Sequence, residues 1–203
     1  MWDRRKATKP VHTLSGHVDW VKNLMLDEAK DRLVSTSFDG TIRLWVPSTA
    51  ECASVLSGHS GTVNSFDYRY PVIASGGSDG TVRIWNVEKG TCRILRGHAS
   101  EVTRVCILDE ERVASTSYDK TLRIWNTATS NPCLVLRGHS DWITTLQKTS
   151  DRIITGSLDC TIKVWAIPSA SDVPLQVPPP SALSDGKKKP KKSTFGSLRK
   201  KKP

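Results

Sequence analysis

Short apolar or β-branched stretches, each closed off by Gly, Ser, Asp or Pro, follow one another from Val11 to Trp165 and read as strands. The clearest are TIRLWV, TVRIWN, TLRIWN and TIKVWA, at 41–46, 81–86, 121–126 and 161–166, which share the order Thr, hydrophobic, basic, hydrophobic, Trp. Ahead of them stand pairs of similar stretches: Trp20–Leu26 with Arg32–Thr36, 62–68 with 72–75, 101–107 with 112–115, and 142–147 with 152–155. Further strands are expected at Cys52–Leu56, Cys92–Leu95 and Cys133–Leu136, with Val11–Leu14 as a fourth of that kind. No apolar run approaches the length that spans a bilayer.

The strands come in repeats. Gly-His occurs at 16–17, 58–59, 97–98 and 138–139, Asp at 39, 79, 119 and 159, and Trp at 45, 85, 125 and 165. The Asp and Trp series step by 40 residues, whereas Gly-His steps by 42, 39 and 41, so insertions fall between Gly-His and Asp. Asp39-Gly40 and Asp79-Gly80 suit a tight hairpin that needs positive φ, and Lys120 and Cys160 take the Gly position later, where the turn is kept with some strain.

A unit of this length with these landmarks is one four-stranded propeller blade. From about residue 11 to 166 the chain resembles the WD-repeat family. The resemblance implies an all-β WD-repeat β-propeller with four recognisable blades, as part of a larger or incomplete ring, since WD-repeat rings commonly use seven. Three arrangements are open. The blades form an open arc, or Val11–Leu14 closes a small ring as the outer strand of the fourth blade, or a partner chain supplies missing blades. Trp2 stands 14 residues before Gly16, near the spacing of the other third-strand tryptophans, so residues 1–10 read as the remnant of a preceding blade or as a disordered lead.

By the same resemblance each blade holds a hydrogen-bonded tetrad: His17, Ser35, Asp39 and Trp45; His59, Ser75, Asp79 and Trp85; His98, Ser115, Asp119 and Trp125; His139, Thr155, Asp159 and Trp165. The hydroxyl is assigned four residues before Asp because only there do all four copies carry one. Ser, His and Asp together invite a hydrolase reading, yet a nucleophile is needed once and these sets occur four times at matching places, which marks a structural part. The histidines lie in separate blades without Cys or carboxylate partners at zinc spacing, so neither metal nor cofactor is expected.

Charge redirects attention to the C-terminus. The net charge is +10, and Lys187, Lys188, Lys189, Lys191, Lys192, Arg199, Lys200, Lys201 and Lys202 supply nine positive charges with no acid among them. Residues 167–186 read as a Pro/Ser-rich linker, with a weak outer strand at 173–177, and 187–203 as a disordered basic tail. KKKPKK resembles a nuclear import signal, and such a tail also attracts anionic lipid or nucleic acid. Ser193, Thr194 and Ser197 would let phosphorylation weaken those contacts. The five cysteines show no C-x-x-C spacing and follow no signal peptide, which suits an intracellular protein of cytoplasm or nucleus.

The face that propellers usually present to partners maps onto two sets of residues. Around the start of each innermost strand stand Trp20 and Lys22, Thr62 and Asn64, Glu101 and Thr103, and Trp142 and Thr144. Before each hairpin Asp stand Phe38, Ser78, Tyr118 and Leu158. Trp20 and Trp142 are the two tryptophans outside the third-strand series, and both fall here. The composition resembles an interface hot spot, which predicts a non-catalytic scaffold or adaptor for a protein partner. Open blade faces would also favour self-association. The rival readings are nucleic-acid or anionic-membrane binding through the tail, and a ubiquitin-ligase substrate receptor, since Trp2-Asp3-Arg4-Arg5 resembles the WD-x-Arg ending of such receptors.

Overall fold

The computed structural model describes residues 10–129 and 132–167. All but the last residue of the lead read at 1–10, the weak strand at 173–177 and the basic tail lie outside the described residues.

Among the described residues fifteen strands build four antiparallel sheets. The first holds β1 (Val21–Asp27), β2 (Arg32–Ser37), β3 (Thr41–Val46) and β4 (Glu51–Ser57). The second holds β5 (Val63–Arg69), β6 (Val72–Gly77), β7 (Val82–Asn86) and β8 (Thr91–Leu95). The third holds β9 (Val102–Ile107), β10 (Arg112–Ser117), β11 (Thr121–Asn126) and β12 (Pro132–Arg137). The fourth holds β13 (Ile143–Lys148), β14 (Arg152–Ser157) and β15 (Ile162–Ala166).

Each sheet is a meander because its hairpins are short, and the β2–β3 hairpin and its repeats turn on one left-handed residue. Gly40 and Gly80 hold φ of 77° and 72°, and Lys120 and Cys160 take 69° and 63° at the same place. A side chain there costs on the order of 1 kcal/mol, as expected for a β-carbon crowding the following carbonyl. A 3-10 turn at Glu28–Lys30, capped by the Asp27 carboxylate accepting from the Lys30 N–H, joins β1 to β2.

The core lies between sheets. Val34, Ile42 and Leu44 of the first sheet meet Val63, Ile73 and Trp85 of the second. Ala74, Val82 and Leu95 then meet Val102, Val113 and Trp125, and Ala114, Leu122 and Ile124 meet Ile143 and Ile153. Burying each such branched side chain stabilises by about 1.5–3 kcal/mol, so every seam is a small core of its own.

One feature departs from the strand reading: Val11–Leu14 forms no strand. The fourth sheet has three strands, and the outer edge of β15 is unpaired among the described residues. The small ring closed by Val11–Leu14 is therefore not the arrangement found. Leu14 instead lines a cavity with Leu26, Leu33 and Pro47 beside the first sheet.

Candidate functional site

Each sheet carries the same hydrogen-bonded set in the same sense. In the first, Trp45 Nε1–H donates to Ser35 Oγ at 2.8 Å, Ser35 meets His17 Nε2 at 2.7 Å, and His17 Nδ1 meets Asp39 at 2.8 Å. The second brings Trp85, Ser75, His59 and Asp79 together likewise, the third Trp125, Ser115, His98 and Asp119, and the fourth Trp165, Thr155, His139 and Asp159. An ionised Asp accepts from Nδ1–H, which leaves Nε2 to accept the hydroxyl proton, and the hydroxyl oxygen to accept from indole.

Burial and hydrogen bonding favour that order. Burial is the chief cause that lowers the pKa of His59 and of His98, so the neutral ring is favoured. Burial opposes ionisation of Asp79, but the hydrogen bonds from the Thr81 hydroxyl and N–H and from the Ser60 N–H outweigh it and hold the pKa at about 2. Asp39, Asp119 and Asp159 are lowered further, again against burial, by hydrogen bonds from their Thr and His neighbours.

A fifth member was missed by sequence reasoning. Thr41, Thr81, Thr121 and Thr161 each donate Oγ1–H to the Asp two residues earlier, at 2.6–2.7 Å. The Thr recurs in all four copies, which was the available signal. The basic residue two further on also has a place: Arg43, Arg83 and Arg123 each lie 5.9 Å from the ring of the Trp two residues later. The Gly of Gly-His makes room for that stack, since a β-carbon on Gly58 would sit 2.5 Å from Arg83 Nη1. All four hydroxyls of the sets are buried, so none is open to a substrate.

The two sets mapped as partner-facing are tied together sheet by sheet. The N–H of Phe38 donates to the Trp20 carbonyl at 2.9 Å, Ser78 to Thr62 at 2.9 Å, Tyr118 to Glu101 at 3.1 Å, and Leu158 to Trp142 at 2.9 Å. Trp20 and Phe38 meet edge to face with centroids 5.6 Å apart, and Lys22 Nζ lies 5.0 Å from the Phe38 ring. Tyr118 and Trp142 meet across sheets three and four at 4.4 Å. Trp20 is 74% exposed, Leu158 54% and Trp142 45%, Phe38 is exposed as well, and Tyr118 is half-buried.

Not every mapped residue faces outward. Asn64 is buried and donates to Glu101 and to the Val102 carbonyl, while Thr103 is buried and donates to the Ile143 carbonyl at 2.7 Å. Both stitch one sheet to the next. Lys22 donates to Asn64 Oδ1 at 2.8 Å, and its pKa is lowered by burial first and by Arg104 second. Thr144 is half-buried, with its hydroxyl 3.5 Å from the Gly156 carbonyl. Among the described residues no group of three or more His, Cys, Asp or Glu is placed to hold a metal.

Comparison with known proteins fits this geometry. The family profile described as "WD domain, G-beta repeat" matches residues 8–46, 50–86, 90–126 and 130–166. The chain belongs to the WD40 repeat family. The sheets are therefore propeller blades, and the recurring sets are the parts that hold each WD40 blade together. The computationally designed Ika4 protein superposes with a TM-score of 0.72 at 28% identity, over 79% of this chain and 99% of that one. Among curated WD40 relatives, the Arabidopsis thaliana DENN domain and WD repeat-containing protein SCD1 is 38% identical over 34% of this chain and 6% of its own length. The Schizosaccharomyces pombe WD repeat-containing protein pop1 is 46% identical over 27% of this chain and 7% of its own. Human DDB1- and CUL4-associated factor 10 is 44% identical over 22% and 8%. The chain thus spans less than a tenth of each of these three relatives, and WD40 repeats of this kind indicate a protein-interaction scaffold.

Proposed function

We propose that this chain is a non-catalytic scaffold that holds a protein partner on the face built by Trp20, Phe38, Tyr118, Trp142 and Leu158. The observation that carries the reading is a pair of aromatic contacts on one rim, Trp20 with Phe38 and half-buried Tyr118 with exposed Trp142, the first tied by the Phe38 N–H to the Trp20 carbonyl and the second held by backbone bonds from Tyr118 to Glu101 and from Leu158 to Trp142. Aromatic rings fixed in this way offer contact area with little ordering left to do on binding. The supporting polar residues, Thr62, Ser78, Glu101 and Lys22, ring that surface and would set register.

Peptides selected from a random library against the purified chain test it. Trp142→Ala and Phe38→Ala are expected to weaken the selected peptides tenfold or more while the melting temperature stays put. Peptides indifferent to both substitutions, or a melting temperature that falls with the affinity, would sink the reading in favour of packing.

A narrower version makes the partner part of a ubiquitin-ligase assembly. Its support is in the names of relatives, among them the factor 10 named above and the probable E3 ubiquitin ligase complex SCF subunit sconB of Arthroderma benhamiae, 40% identical over 27% of this chain. Binding of purified DDB1 that Arg5→Ala weakens is the expected outcome, and no binding at micromolar concentration ends this version alone.

A further inference from the structure

We propose that two copies of this chain close a single eight-bladed ring, in which Val11–Leu14 of each copy serves as the outer strand of the other's fourth blade. Three observations converge on this.

The first is the state of the two end faces. At the position three after the hairpin Asp, Ile42, Val82 and Leu122 are fully buried against the following blade, while Ile162 of the last blade is 76% exposed. Val164, two residues on, is also exposed. On the opposite end, Val63, Val102 and Ile143 open their blades fully or almost fully buried, whereas Val21 opens the first blade in solvent, followed by Leu24 at 63% and by Leu26. The two end faces are the two halves of the seam that this chain already makes three times.

The second is strand register. The residue three after the hairpin Asp pairs with the Leu two before the next Gly: Ile42 with Leu56, Val82 with Leu95, Leu122 with Leu136. Among the described residues Ile162 has no such Leu opposite it on the edge of β15, and Leu14, two before Gly16, has no partner strand. Both halves of a fourth pairing are present and unmade.

The third is that Leu14 is already seated. His12, Leu14, Leu26, Leu33 and Pro47 line a cavity. By repeat position the last four correspond to Leu56, Tyr68, Ile73 and Val87, which pack round Val34, Ile42 and Leu44 of the preceding blade. The cavity is the place where Ile154, Ile162 and Val164 of another fourth blade would stand. Propellers have typically four to eight blades, so two copies related by a twofold axis close within that range and three copies exceed it.

Sedimentation equilibrium on the whole chain is expected to give twice the 22.4 kDa of one copy, and a single-copy mass overturns the proposal. Strand exchange is read separately. Arg43, Arg83 and Arg123 lie opposite Val55, Ile94 and Val135, so Lys163 is predicted to lie opposite Thr13 of the second copy, at disulfide distance once both are Cys. With the exposed Cys52, Cys92 and Cys160 changed to Ser, oxidised Thr13→Cys/Lys163→Cys should run at twice the mass on a non-reducing gel, and neither single variant should. A bridge within one chain, or none, contradicts the exchange. Ile162→Asp touches an exposed site and should leave the circular dichroism unchanged while halving the mass; a mass that stays doubled contradicts the seam.

Discussion

The seam between the second and third blades and the open flank of the fourth are made of the same kinds of residue in the same order, yet one is a core and the other a surface. What differs is only the neighbour. In a repeat protein the sequence of a blade specifies a face, and the stability of that face belongs to the pair of blades that share it. The inner seams therefore set the stability of this chain by themselves.

That contrast can be broken in several places. The largest effect is expected at the inner seam, where Trp125→Ala should cost about 3–5 kcal/mol and Leu122→Ala about 2–5 kcal/mol by denaturant unfolding, because both side chains are fully buried. The matched change Ile162→Ala should cost under about 0.5 kcal/mol in any single copy. Equal losses at Leu122 and Ile162 in a single copy would end the comparison.

Next in size is Asp79→Ala, which leaves the His59 and Thr81 donors unpaired inside an inner blade and should cost on the order of 1–3 kcal/mol. The same substitution at Asp159, in the outer blade, is expected to cost less in thermal unfolding.

Acid should act in two steps. The unfolded chain takes up protons on His59 and His98 as pH falls below about 6.5, whereas the folded chain, with both pKa values lowered, resists them, so stability declines with falling pH from there. A second decline follows below about pH 4, as the unfolded carboxylates protonate while Asp79 holds its charge down to about 2. Urea midpoints measured from pH 7 to pH 3 check this, and a flat profile between pH 7 and pH 5 contradicts the neutral His assignment.

The smallest effect is at a hairpin. Cys160→Gly relieves a left-handed non-glycine residue and should raise stability by about 0.5–1 kcal/mol, visible as a melting temperature a few degrees higher.

How much was legible depended on repetition. Strand positions and the His, hydroxyl, Asp, Trp sets could be read because four copies average out chance, and the strands lie within two residues of where the pattern placed them. The Thr after each Asp stood in the motif but looked like an ordinary β-branched strand residue, so its hydrogen bond to the carboxylate went unread. Asn64 and Thr103 were placed among partner-facing residues by their spacing, but a polar side chain at a strand end faces whichever neighbour offers a carbonyl, and here that is the next blade. Val11–Leu14 was expected as a strand on local pattern alone, and a strand also needs an edge to join.

The margin of β15, unpaired among the described residues, would tie folding to abundance under the proposed ring. If another molecule completes the last sheet, the melting temperature should climb with the logarithm of protein concentration, and a dilute sample should come apart at temperatures a concentrated one survives.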